Sequence, residues 1–187
     1  MSGGFAEVAF TPAVQALQES RGSRAQYARM QAKAEPGSGL GPDESEFLAA
    51  ADSFYLATVS ETGWPYVQHR GGPRGFLKVL SPRQIAFADF RGNQQFVSAG
   101  NAATDNRASL IVMDYVHRQR LKLLGHLRFI ELAEADADLV QQVELPGDPS
   151  DPGAAFKAGL GSTFAPAHAA TAEELDAQWT LVAHNAG

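Results

Sequence analysis

Cations crowd one stretch of an otherwise acidic chain. Arg70, Arg74, Lys78 and Arg91 all fall within WPYVQHRGGPRGFLKVLSPRQIAFADFRGN, residues 64–93. A phosphate monoester carries about −1.5 to −2 charges at neutral pH. Holding one takes donors from several directions, with guanidinium favoured for bidentate contact. Arg70, Lys78 and Arg91 lie on or beside neighbouring strand-like runs. Arg91-Gly92-Asn93 leads straight into a predicted short helix over Gln94–Ala99, whose first backbone N–H groups would add donors. Alternation along FLKVL sets Lys78 on the face of Phe76 and Leu80, away from Leu77 and Val79. A charge against that apolar surface is costly unless an anion meets it. From spacing alone two readings stay open: an anion pocket, or ordinary surface cations with Arg91-Gly92-Asn93 an ordinary turn.

Other chemistries find no support. No G-x-S-x-G elbow, phosphate-cradling G-x-x-x-x-G-K-[ST] loop or H-E-x-x-H helix occurs. The five histidines, His69, His117, His126, His168 and His184, lack metal-ligand spacing, so no metal is expected. Asp89 and Asp114 end strands, as a carboxylate pair or as turn formers. With no cysteine, disulfides, thiolate catalysis and iron–sulfur ligation are excluded.

The elements that must position these residues can be read in order. Thr11 as N-cap and Pro12 behind it start a helix, Arg21-Gly22-Ser23 interrupts it, and Ser23 with Gln26 has capping-box spacing for a second. PGSGLGP, 36–42, reads as a linker, and Asp43 with Glu46 as the capping box of a third helix. β-Forming runs follow at 54–60, 64–70, 75–80, 84–89, 107–114 and 120–131, the last bent at Gly125. A helix is expected over Glu134–Val143, a loop over Leu145–Gly161 and a last helix from Thr171. Short strands joined by tight turns point to an antiparallel barrel with peripheral helices. The 187 residues thus divide into an N-terminal helical extension and linker (1–42), a barrel (43–132) and a C-terminal helical and loop extension (133–187). A net charge of −6 argues against a nucleic-acid or membrane-surface binder. No run approaches the ~20 apolar residues of a membrane span. A cytoplasmic protein is expected.

Five segments resemble, in order, the pyridoxamine 5′-phosphate oxidase-like family of FMN-binding split barrels, over roughly Asp43–Glu131. FYLATVSETGWPYV is similar to its first hairpin. FLK at 76–78 resembles its L-L-K strand, and FADFRGNQQ at 87–95 its phosphate-holding strand and loop. NAATDNRASLIVMD resembles its N-P-x-x-A-L-x-F segment, and RLKLLG at 120–125 its R-Q-V-R-x-x-G strand. The resemblance implies a six-stranded antiparallel Greek-key split barrel, a homodimer, and FMN in each of two clefts between the subunits. It places Lys78 near the flavin or its phosphate, and Phe87, Ala88 and Asp89 along the flavin. Arg91, Asn93 and Gln94 would hold the phosphate, and Arg120 and Lys122 would reach in from the last strand, across the dimer in one arrangement. Gln68, His69 and Arg70 occupy the place of an FMN-contacting arginine. Asn93 stands where the oxidases have lysine, the 69–75 loop is longer, and the oxidases' C-terminal Trp and Arg-Leu substrate signature is missing from residues 163–187. The implied function is an FMN-dependent oxidoreductase whose small-molecule substrate the sequence does not identify, and the missing signature argues against pyridoxamine phosphate. Rival readings are a flavin, deazaflavin or haem binder for sensing or electron transfer, and a cofactor-free interaction barrel.

Overall fold

The computed structural model describes residues 5–33, 39–89, 94–130, 134–135, 137–143 and 163–166. Helices α1 (Phe5–Ala9), α2 (Pro12–Ser20), α3 (Arg24–Lys33) and α4 (Pro42–Ala50) precede the sheet. Strands β1 (Ser53–Val59), β2 (Pro65–Gly71), β3 (Leu77–Ser81) and β4 (Gln84–Phe87) follow. Then come α5 (Val97–Thr104), β5 (Arg107–Asp114), β6 (Gln119–Arg128), α6 (Ala137–Val143) and β7 (Thr163–Pro166). No helix among the described residues is long and apolar enough to cross a membrane.

The strands form one antiparallel sheet in the order β2-β1-β5-β6-β7-β4-β3. This is the mainly β class with flanking helices that the sequence leads one to expect. Its count exceeds the six strands read from the sequence, because β7 inserts between β6 and β4. Only four residues long and ending in Pro166, β7 carries no alternation that would announce it; partners on both sides make it a strand. The sheet's two edges, β2 and β3, are consecutive in the chain. Side chains link the strands beside those edges: Phe54 of β1 stacks on Phe76, just before β3, ring centres 5.8 Å apart, and meets Phe87 of β4 edge-on at 4.8 Å. Leu56, Leu77, Ile85, Leu110, Val112 and Leu127 complete the core, and Leu48 of α4 is buried with it.

Helix starts show where local rules hold and where they shift. Thr11 caps α2 by accepting from Val14 N, with Pro12 in the first turn. Ser23 does not cap α3 as its spacing predicts; its hydroxyl donates to Gln18 O instead, 3.5 Å away. The box of α4 is likewise displaced from Asp43/Glu46. Pro42, whose φ is already helical, takes the first position, and Gly41 N donates to Glu44 Oε2 at 2.9 Å. The β1–β2 hairpin turns at Gly63, whose φ of +82° suits glycine. The helix expected from Gln94 begins at Val97, since Gln94 and Phe96 adopt left-handed φ values of 59° and 53°. The helix expected from Thr171 lies outside the described residues.

Two outcomes are expected. Phe54→Ala should lower unfolding free energy by about 3–5 kcal/mol in urea titrations, since it empties the contact that links the strands beside the sheet's edges. His126, whose Nδ1 lies 2.7 Å from Asn106 Oδ1, is held below its ordinary pKa of 6.5, chiefly by burial. The folded state therefore resists protonating it. Its contribution should be full above pH 6.5 and decline as pH falls below, in melting curves that His126→Gln flattens.

Candidate functional site

Strand β2 sorts its side chains by alternation. Tyr66, Gln68 and Arg70 lie opposite Thr58, Leu56 and Phe54 of β1, all three of them buried, so they share the inner face. Val67 and His69 lie opposite Ala57 and Tyr55 on the outer face.

On the inner face Arg70 pairs with Asp89, two residues past the end of β4. Their side chains are only 14% and 18% exposed. Burial pushes the Arg70 guanidinium down to about 10, which leaves it charged at neutral pH. Its Nε is buried with no hydrogen-bond partner among the described residues. One inward position along, Gln68 Oε1 accepts from Ser98 Oγ of α5 at 2.9 Å. Asn101, one turn further on, donates from Nδ2 to Thr58 Oγ1 at 3.0 Å, with both residues buried. Asp89 and Ser98 bracket the connection from β4 to α5, and both are tied to β2.

Phe87 and Ala88 sit beneath this point, with Phe87 packed into the core and Ala88 buried. Their side chains face protein; any ligand there would meet backbone. Gln94 lies exposed in its left-handed conformation, while Arg91 and Asn93 lie outside the described residues.

The remaining predicted residues stand elsewhere. Register carries one row across four strands on the outer face: His69, Tyr55, Ile111 and Lys122. His69 meets Tyr55 edge-on at 5.4 Å, and Arg120 pairs with Met113 one step along. Trp64, Val67, Tyr115 and Val116 are exposed in the hairpins at the ends of these strands or on this face. A hydrogen bond with Tyr55 raises the Tyr115 pKa. In the same turn the Asp114 carboxylate is held below its usual range by bonds from His117, the backbone N at 2.9 Å first and Nδ1 at 2.7 Å. Lys78 is half-buried on β3 and opens on a cleft of about 370 Å³ between α4, β3 and α6. It is the one charged residue in that lining among the described residues; Ser45, Gly75 and Gln142 are neighbours. Thus Gln68, Arg70 and Asp89 come together, whereas His69, Arg120 and Lys122 form a second group and Lys78 a third. Ser98, Asn101 and Thr58 escaped sequence reading: their contacts span 30 and 43 residues, and no local spacing signals them.

Residues 40–154 match the pyridoxamine 5′-phosphate oxidase family. No curated protein matches the chain significantly. Similar solved structures include a candidate pyridoxamine 5′-phosphate oxidase of Lactobacillus delbrueckii, 16% identical, covering 70% of this chain and 93% of that one with a TM-score of 0.48. The haem storage protein HutZ of Vibrio cholerae is 21% identical over 56% of this chain and 70% of that one, TM-score 0.37. An F420 reductase is 17% identical over 48% and 64%, TM-score 0.36.

Removing one partner of a buried ion pair strands the other charge. Asp89→Ala should therefore cost about 3–5 kcal/mol in denaturant unfolding, while the apolar pair Arg70→Met with Asp89→Leu should cost much less.

Proposed function

The chain belongs to the pyridoxamine 5′-phosphate oxidase family, and from that premise we propose that it is an FMN-binding flavoprotein, an oxidoreductase acting on a small organic molecule. The observation that carries this reading is the buried Arg70: charged, tied by one nitrogen to Asp89, and with Nε unsatisfied among the described residues. A buried guanidinium donor is satisfied by an anionic or carbonyl oxygen, and FMN offers both. In the proposed site Arg91, Asn93 and Gln94 hold the phosphate, and Arg70 meets the cofactor from the inner face. Asp89 and the backbone of Phe87 and Ala88 line the flavin, while Lys78, on the separate cleft between α4, β3 and α6, stands outside this site.

FMN, when bound, would supply the hydride and electron chemistry. The protein's part is to orient, exclude water and place charge. Arg120 and Lys122 suit the role of stabilising negative charge on the ring, yet they lie on the outer face with Tyr55 and His69, away from the inward Gln68 and Arg70. One ligand can meet both groups if a second copy supplies the outer one. The exposed aromatic and aliphatic residues Tyr55, Trp64, Val67 and Tyr115 support burial of that region in a homodimer.

The test is the visible absorption of the protein purified without added cofactor, with identification of what denaturation releases. Flavin bands and free FMN are expected, and Arg70→Ala with Arg91→Ala should abolish flavin retention. Reduced flavin should be reoxidised by an organic acceptor faster than by dioxygen alone; equal rates would make the protein a carrier or sensor. Release of a deazaflavin or haem overturns the choice of FMN. A colourless protein that ignores added FMN overturns the flavoprotein reading.

A further inference from the structure

The lead-in to α5 is held in a conformation that its own residues do not favour. Gln94 and Phe96 both have left-handed φ, sparsely populated for residues with a Cβ. Phe96 provides no side-chain cap, and its ring is 54% exposed, so packing does little to fix it. Two side-chain hydrogen bonds reach α5 from the sheet among the described residues. Asn101 bonded to Thr58 anchors the middle of the helix. Ser98 bonded to Gln68 anchors its first turn, two residues past Phe96 and four past Gln94.

Gln68 thereby has its acceptor committed. Ser98 is 1% exposed and sits on the inner face of the barrel, so the bond lies where water competes little. The residue also stands one inward step from Arg70, which holds the other end of the same connection through Asp89. β2 therefore sets the separation between the end of β4 and the start of α5.

We propose that Gln68 is a positioning residue for the phosphate end of the cofactor: acting through Ser98, it holds the left-handed lead-in to α5 in the form that receives the phosphate. This rests on the FMN reading above, and it assigns Gln68 no contact with the flavin ring. Riboflavin, which lacks the phosphate, isolates the effect.

Binding of FMN and of riboflavin to the full chain is measured by calorimetry for wild type, Gln68→Leu, Ser98→Ala, the double variant and Ser98→Thr. Each single variant should weaken FMN by roughly tenfold, the order expected for losing one buried hydrogen bond. The double variant should be no weaker than either single one, since both remove one interaction. Riboflavin affinity should stay within about twofold. Ser98→Thr, which keeps the hydroxyl, should restore FMN binding. If Gln68→Leu fails to fold, the comparison of Ser98→Ala with Ser98→Thr decides the matter alone. Equal loss of FMN and riboflavin, additive single effects, or a loss at Gln68 without one at Ser98 overturns the positioning role. Wild-type preference for FMN with unchanged variants overturns this inference and leaves the cofactor reading standing. A wild type that binds neither flavin overturns both.

Discussion

The meeting of Phe54 with Phe76 and Phe87 is the contact on which the architecture depends. A sheet whose first and last strands are β2 and β3 has two open edges, and those edges adjoin in the chain. Among the described residues no backbone ladder joins them, and Phe54 links β1, beside one edge, to Phe76 and Phe87 beside the other. Three large aromatic rings supply much apolar area at one point and prefer the offset and edge-on geometries found there. The consequences follow from alternation. Arg70 is the cross-strand neighbour of Phe54, and Asp89 lies two residues beyond Phe87. Once the rings are in contact, the cation and the carboxylate are carried to the same place.

Polar side chains then add direction to a core that hydrophobic burial alone would leave free to slide. Along the inner face run Thr58 with Asn101, Gln68 with Ser98, and Arg70 with Asp89. Each joins β1 or β2 to a partner far away in sequence, the Arg70 pair leaving Nε open among the described residues, and each would be costly to leave single. Together they place α5 and the end of β4 relative to β2. The charge pair is the expensive member, since burial lowers the guanidinium pKa and the ion gives up water. That cost is borne beside a donor left open among the described residues, the feature on which the proposed cofactor site rests.

The two faces of the same sheet divide the work. The inner one is aromatic, aliphatic and sparsely polar. The outer one carries Tyr55, His69, Ile111 and Lys122 in a cross-strand row, with exposed aromatics at its margins. Cations on opposite faces cannot serve one small ligand within a single curled sheet, so a shared site and a paired barrel are linked hypotheses.

Much of this was legible in the residues. Period-two runs and turn glycines determine β5 to the residue and the other sheet strands except β7 to within about three, and Pro12 and Thr11 determine the start of α2. These are local properties: a residue's neighbours two or three positions away settle them. Family membership was legible too, because its motifs are contiguous. What tertiary structure decided was non-local. A four-residue strand ending in proline exists because β6 and β4 stand ready on either side of it. α5 starts at Val97 rather than Gln94, with left-handed φ at Gln94 and Phe96, and its Ser98 and Asn101 are bonded to Gln68 of β2 and Thr58 of β1 across the sequence. Whether Arg70 faces inward with Asp89 while His69 faces outward with Tyr55 depends on register and on how the sheet curls, and one residue of slip would exchange them.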